Sequence, residues 1–295
     1  MNWKLKCVAS YVLNKLPCSM QVYNVIQRRL TKRWHRDVQH TMAGPNNYTM
    51  HLDAFRKHWG DFTEAQYFEF GVARDLFSNL VNYCSGMEKQ LAVDLNPLAT
   101  AELVNGSCKQ LMQVESSYLI RKPSHEVGSD FRKDLDRYYG IDYRAPMDAR
   151  KVSMPDGSVD LVASTSTFEH IPETMLLEIL RECHRLCHKG SIMSHEIDYS
   201  DHYSHRDKSI TPYNFLQFSD KAWDRLYMRH YYQNRLRHHD IRRLIVEAGF
   251  TILEENTVVQ ENAQSLISRV ALAAKYQAVP LTDLLATKGH FVCVK

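Results

Sequence analysis

Tyr67-Phe-Glu-Phe-Gly-Val-Ala-Arg-Asp-Leu76 decides the fold. The aromatic run of Tyr67, Phe68 and Phe70 stops at Gly71, and a helical pattern follows it. That is a strand, a tight turn and a helix. In α/β proteins a nucleotide lies at such a turn, because the backbone must approach the ligand closely and only small residues allow it. Glu69 stands just before the turn, and Asp94 ends the next apolar run, Leu91-Ala-Val-Asp94. The glycines are thin. Gly71 is present, but Ala73 and Asp75 occupy places where further glycines would be comfortable. Alanine at 73 is sterically mild if its φ is negative and strained if φ is positive.

Outward from this stretch, strand and helix alternate. The pattern predicts strands at 66–70, 91–95, 140–143, 159–164 and 191–197. Helices are expected between them, near 74–86, 98–114 and 174–188, with Gly190 as the C-terminal cap of the last. Such alternation predicts a mostly parallel sheet with helices on both faces. The rhythm then breaks. Residues 199–236 are rich in Tyr, His, Asp and Arg without a clean period, which suggests a lid or substrate segment. A helix at 238–248 and strands at 251–259 and 289–294 close the chain, the last pair reading as an antiparallel addition at the sheet edge.

With 295 residues and 44% hydrophobic content, the chain can bury one large core and is not of disordered composition. The net charge is only +3, yet residues 1–60 carry ten Lys/Arg and two Asp, or +8, leaving −5 for the remainder. We read 1–60 as a basic helical extension and 61–295 as the main domain. Leu5, Val8, Val12 and Leu16 share one helix face. Val22, Ile26, Leu30 and Trp34 form a second stripe flanked by Arg28, Arg29, Lys32 and Arg33. Such a helix either packs its stripe on the domain or lies on an anionic membrane surface. A start with Lys4 and Lys6 loosely resembles a signal peptide, but Asn14 and Lys15 interrupt its short apolar core. Seven cysteines, odd in number and irregular in spacing, fit a reduced cytoplasmic setting better than a disulfide framework.

Three signatures resemble the class I S-adenosylmethionine (SAM)-dependent methyltransferases over about residues 66–295. One is Glu69-Phe-Gly71 with Asp94. Another is Met147-Asp-Ala149, then Met154-Pro-Asp-Gly-Ser-Val-Asp-Leu-Val162 and Ser164-Thr-Ser-Thr-Phe-Glu-His-Ile-Pro172, close to the family's fourth-strand region. The third is Asn234-Arg-Leu-Arg237 with Ile241, Leu244, Ile245 and Ala248-Gly-Phe250. The resemblance implies a Rossmann-like, seven-stranded, mostly parallel sheet with an antiparallel last pair. It implies SAM as cofactor, held by Glu69, Gly71 and Ala73 at the turn, Asp94 and Leu95 after strand two, Asp148 and Ala149 beside the adenine, and Thr165 at the end of strand four. The chemistry of Asp94 agrees: a carboxylate accepts from two vicinal ribose hydroxyls, and it lies 23 residues past Gly71, near the spacing for ribose recognition. A lone strand-terminal Asp is often only a turn cap. The departures are Ala73-Arg74 in place of the family's second glycine and its neighbour, and His188-Lys-Gly190 where the family often has Lys-Pro-Gly.

Methyl transfer to an oxygen needs alignment, exclusion of water and a base for the hydroxyl proton. Candidates come from the carboxyl ends of strands four and five: Glu169, His170, His195, Glu196, Asp198, Asp201, His202 and His205. We expect His202 or His170 as base, with Asp201 or Asp198 orienting it. No metal is expected. Cys183, His184, Cys187 and His188 sit at i,i+4 but lack a second ligand pair, although His195, Asp198 and His202 offer a weaker divalent set. The expected activity is methyl transfer to an oxygen of a small molecule, sugar or lipid-linked glycan. The rival is a methyltransferase-like binding protein that has lost catalysis. A nicotinamide oxidoreductase lacks its three-glycine turn, and no nucleic-acid base pocket motif is present.

Overall fold

The computed structural model describes residues 2–5, 7–8, 35–38, 41, 49–226 and 232–295. The elements run α1 (Met50–His58), β1 (Gln66–Phe70), α2 (Phe77–Cys84), β2 (Lys89–Val93), α3 (Ala101–Leu111), α4 (Phe131–Tyr139), β3 (Ile141–Arg144), β4 (Val159–Thr165) and α5 (Glu173–Leu186). Then come β5 (Cys187–Asp198), α6 (Asp220–Leu226), α7 (His238–Glu247), β6 (Thr251–Val259), α8 (Ala263–Ile267), α9 (Leu281–Leu285) and β7 (Ala286–Val294). The strands form one sheet in the order β3-β2-β1-β4-β5-β7-β6. Only β7 runs antiparallel to its neighbours β5 and β6.

Alternation along β1 sorts the layers. Phe68 and Phe70 point into a core shared with α5 and α7, through Leu176, Leu180, Cys183, Ile241 and Ile245. Tyr67 points to the other face, where Leu52 and Phe55 of α1 cover it. Farther toward β3, Leu80, Val104, Leu111 and Leu135 of α2, α3 and α4 cover Ala92 and Ile141. A fully buried Phe or Leu contributes roughly 1.5–3 kcal/mol, so these faces, more than helix propensity, hold the layers.

The expected strands are present, with one correction. Gly190 does not cap α5. The helix ends at Leu186, Cys187 caps it in an extended conformation, and β5 starts at once. Gly190 therefore lies inside the strand, where its N–H donates to Lys295 O. Cys183 and Cys187 are buried in the sheet core, and no disulfide joins the cysteines among the described residues.

The N-terminal stripe is also corrected. Leu5 and Val8 are exposed at 66% and 62%, whereas Trp3 and Cys7 are buried. They enter a separate cluster with Tyr213, Phe215, Trp223, Tyr276 and Leu284. The aromatic-rich segment after β5 thus builds a small core of its own with residues 263–285. The stripe of Val22, Ile26, Leu30 and Trp34 and the turn Pro45-Asn-Asn47 lie outside the described residues. Among the described residues, no helix is long and apolar enough to cross a membrane.

Candidate active site

The turn after β1 is strained. Gly71 has φ +73°, and its N–H donates to Val93 O at 2.9 Å. A Cβ at 71 would lie 2.3 Å from Thr167 Cγ2, so glycine lets this turn and the loop after β4 touch. Ala73 has φ +58° and Leu76 φ +49°. The conformation is the costly one for alanine, about 1–2 kcal/mol. Ser166, in the facing loop, is the remaining non-glycine residue at positive φ among those described, at +49°. Strain of this kind collects where function over-determines the backbone. Arg36 holds Asp75 from outside, with Nε to Oδ2 at 2.7 Å and Nη2 to Oδ1 at 3.1 Å. That ion pair ties the N-terminal segment to the turn. Arg74 is half-buried beside it.

Asp94 faces the turn from the end of β2. Its Oδ2 accepts the Ala73 N–H at 3.2 Å and its Oδ1 accepts the Asn96 N–H at 2.9 Å. Burial raises its pKa, which those two bonds oppose. Leu95 stands beside it, 59% exposed. The next loop is pinned to the same place, for Met147 N–H donates to Asp94 O at 2.9 Å. Asp148 in that loop is engaged by Arg150, whose Nε lies 3.0 Å and whose Nη2 lies 2.6 Å from Oδ2. Its Oδ1 also accepts the Arg150 N–H at 3.0 Å. The Arg150 contacts hold its carboxyl below the usual range. Ala149 packs on the sheet core. Glu69 lies deeper. Tyr67 Oη donates to its Oε2 at 3.1 Å, and burial pushes its carboxyl up to about 7. The structure therefore brings Gly71, Ala73, Asp94 and the 147–149 loop together at the carboxyl ends of β1 and β2, where open α/β sheets carry their crevice, with Glu69 buried in β1 behind them. Thr165 turns elsewhere: its Oγ1 meets His51 Nε2 at 3.0 Å.

The loop that closes on Gly71 leads directly into the second half of the site. Phe168–His170 is a 3-10 turn. Glu169 is 2% exposed, and neither carboxylate oxygen has a hydrogen-bond partner. The N–H groups of Glu169 and Asp198 lie near it but outside hydrogen-bond geometry, and burial, then the Asp198 charge, pushes its carboxyl well up. His170 Nδ1 bonds the Tyr232 carbonyl at 2.7 Å. Its ring lies 5.0 Å from that of His202. His202 Nε2 and His205 Nε2 lie 3.5 and 3.4 Å from Asp198 Oδ2. Burial opposes ionisation of Asp198, but His202, His205 and Ser200 hold its carboxyl well below the usual range.

Asp201 does not have the expected place. It is fully buried, its Oδ1 accepts the Tyr203 N–H at 2.8 Å and its Oδ2 accepts Asn214 Nδ2 at 3.0 Å. It holds the loop, and the carboxylate that meets the imidazoles is Asp198. A cleft of about 380 Å³ opens here, lined by Asp198, Ser200, His205, Lys208, Thr287 and Lys288. His195 is absent from it, because it is buried between Phe70 and Phe168 with Nδ1 on Ser164 Oγ at 2.8 Å. Glu196 likewise is taken, by Ser166 Oγ at 2.9 Å and Lys288 Nζ at 3.0 Å.

Behind Thr165 lies a buried polar network that the sequence pattern did not announce, since His51 comes from α1. His51 Nδ1 meets Ser194 Oγ at 2.7 Å, and Ser194 meets His290 Nε2 at 2.9 Å. Burial, then the neighbouring His290, lowers His51 from its ordinary 6.5 to about 3. Between those values the unfolded chain binds the proton and the folded chain does not. The stability present above about pH 6.5 is therefore lost as pH falls toward 3. His51 alone is expected to cost about 2 kcal/mol between pH 7 and pH 5. Urea midpoints at the two pH values measure this, and His51→Gln should flatten the difference. Equal midpoints in the parent protein would refute it.

Residues 118–194 match a family model described as a methyltransferase domain. The search of curated proteins found no match. Among solved structures, the chain is similar to a SAM-dependent methyltransferase from Methanosarcina mazei, at 11% identity over 78% of this chain and 92% of that one, TM-score 0.46. It is also similar to one from Mesorhizobium loti, at 11% identity over 82% and 96%, TM-score 0.44. A phosphoethanolamine N-methyltransferase 2 from Haemonchus contortus, in complex with SAM, matches at 14% identity over 85% of this chain and 53% of that one, TM-score 0.48. With the methyltransferase-domain match across β3, β4, α5 and most of β5, and with β7 inserted antiparallel between β5 and β6, the chain has an α/β, methyltransferase-like fold.

Proposed function

We propose that this chain is a SAM-dependent methyltransferase acting on a hydroxyl oxygen of a small molecule, sugar or lipid-linked glycan. One observation carries the reading: Asp94, the Ala73 turn and the 147–149 loop meet at one crevice, and the loop packed on Gly71 leads to histidines held by a carboxylate.

The donor set fits the cofactor. Each Asp94 oxygen accepts one backbone N–H and keeps a lone pair for a ribose hydroxyl. Leu95 offers an exposed apolar surface for a base. When bound, SAM supplies an electrophilic methyl group on a sulfonium. The chain then has to hold an acceptor oxygen in line, keep water out and take the hydroxyl proton. Asp198 carries two imidazoles suited to that proton, His202 and His205, and stabilises whichever becomes charged. His205 lines the cleft; its Nε2 meets Ser200 Oγ at 2.8 Å, a hydroxyl already donating to Asp198, so Nδ1 is the nitrogen free to take the proton. Lys208 places a cation on the same wall, which favours an acceptor bearing negative charge, while Lys288 is paired with Glu196.

The rival reading, a binding protein without catalysis, is favoured by Asp148, whose oxygens are occupied by Arg150, and by the strained Ala73. Calorimetric titration with SAM, S-adenosylhomocysteine and NAD separates the readings. Saturable binding of the first two and not the third is expected, and binding of none would sink the enzyme. Asp94→Ala should weaken SAM by about 1.5–3 kcal/mol, the cost of losing hydrogen bonds to a charged group. An unchanged affinity would remove Asp94 from the cofactor site.

A further inference from the structure

Three ligand-type side chains converge beyond the cofactor crevice. Glu169, His170 and His202 each offer a donor atom, and the three atoms lie within 4.8 Å of one another. We propose that Glu169, His170 and His202 bind a divalent transition-metal ion of the zinc(II) type and leave a coordination position open.

Each ligand is prepared in a different way. Glu169 is the decisive one. It is 2% exposed, and both of its oxygens lack a hydrogen-bond partner among the described residues. A carboxyl group so placed is costly unless something charged meets it, because burial removes the water that would otherwise solvate it. It sits in the 3-10 turn Phe168–His170, beside His170, the second member of the cluster. His170 has its tautomer set. Its Nδ1 lies 2.7 Å from the Tyr232 carbonyl, which can only accept, so the proton sits on Nδ1 and the lone pair on Nε2. A ligating imidazole whose other nitrogen donates to a backbone carbonyl is the usual second-shell arrangement at metals. His202 has Nε2 buried without a hydrogen-bond partner, and Asp198 Oδ2 lies 3.5 Å from it.

The donor chemistry selects the metal. Two imidazoles and one carboxylate suit zinc(II), cobalt(II) or iron(II) and not magnesium or calcium, which take oxygen ligands. Three protein ligands with the next position left to water or substrate is the pattern of catalytic zinc. Glu169 and Asp198 together offset the charge of a divalent ion. His205 stays outside the set, on Asp198 and in the cleft, so a metal on His202 leaves the proton acceptor in place.

The inference stands apart from methyl transfer, and its test needs no turnover. The full chain, stripped with a chelator and dialysed, is titrated calorimetrically with zinc(II), and its cobalt(II) form is followed by visible absorption. One equivalent of zinc(II) is expected, with a cobalt(II) spectrum of low coordination number. Glu169→Gln and His202→Gln should each weaken binding at least tenfold. His188→Gln, on the far side of the sheet's end with Asp160, should leave it unchanged. No stoichiometric binding, or binding that survives both ligand variants undiminished, would overturn the site and leave Glu169 a buried neutral acid. If Glu169→Gln does not fold, the half-buried His202 variant carries the test alone. SAM affinity of the stripped protein, measured in the same samples, shows whether the methyltransferase reading stands when the metal does not.

Discussion

Replacing Arg237 by methionine is expected to destabilise the protein by about 3–5 kcal/mol, because it leaves several buried carbonyls without their donor at roughly 1–3 kcal/mol each. Arg237 is fully buried. Its Nη1 donates to Tyr199 O at 2.8 Å. Its Nη2 donates to Asp283 O at 3.3 Å, Leu284 O at 3.1 Å and Ala286 O at 2.5 Å. Two of those carbonyls belong to the last turn of α9, which has no helical partner for them. One guanidinium thus ends a helix, starts β7 and holds the chain just after β5. Its own N–H is fastened by Asp240 Oδ2 at 2.8 Å, so it also opens α7. Methionine fills much of the volume but takes the donor from three buried carbonyls and a part-buried fourth. Lysine should not rescue it, because an ammonium lacks the planar fork that reaches several acceptors at once. A urea midpoint shift at constant slope measures the loss. A change within about 0.5 kcal/mol, the range of an ordinary surface substitution, would show that water takes over the four carbonyls.

Asp198→Asn should lower the methyl-transfer rate by roughly 10²–10⁴, the usual worth of a positioned acid–base group. The argument is geometric. Asp198 Oδ1 is fixed by the Ser200 N–H at 2.8 Å and Ser200 Oγ at 2.6 Å. Only Oδ2 is left for the imidazoles of His202 and His205. Asparagine keeps the shape but removes the charge that stabilises an imidazolium. The effect should fall on kcat, with SAM affinity unchanged, because Asp94 and the Ala73 turn lie on other strands. The readout is S-adenosylhomocysteine release in the presence of a hydroxyl-bearing acceptor, alongside calorimetry with SAM. A loss confined to SAM binding would mean that Asp198 supports the crevice and takes no part in the chemistry. Asp201→Asn in parallel should act on stability, since its oxygens hold Tyr203 and Asn214.

Much of the architecture was legible. Gln66–Phe70 and Thr251–Val259 have the expected bounds, because alternation and a terminal glycine are local signals. The β5 start was not. Gly190 looked like a helix cap, but β5 already starts at Cys187 through its pairing with Val159 of β4, and the Gly190 N–H donates to Lys295 O just past β7. The N-terminal stripe failed for a similar reason. Leu5 and Val8 share a face, but the aromatic cluster around Trp223 receives the face of Trp3 and Cys7 instead.

The crevice was half legible. Asp94 was expected at a strand end beside the turn, and its Oδ2 accepts the Ala73 N–H there. Asp198 and Asp201 could not be told apart from sequence, since both flank the same histidines in the chain. The structure separates them by where the loop turns, sending Asp201 inward to Asn214. His51 and Arg36 were invisible as site neighbours, because they reach the sheet from more than thirty residues away in sequence.

By itself the sequence determined the element order, the parallel sheet with its late antiparallel pair, the glycine turn and the acidic residues around it. These follow from period, glycine and strand-end position, all of which act over a few residues. The tertiary structure alone decided that Ala73 sits at positive φ, that Asp198 and not Asp201 meets the histidines, and that Glu169 is buried with no partner. Those are properties of neighbours brought in from other strands, and charge, strain and burial depend on such neighbours and on the water they exclude.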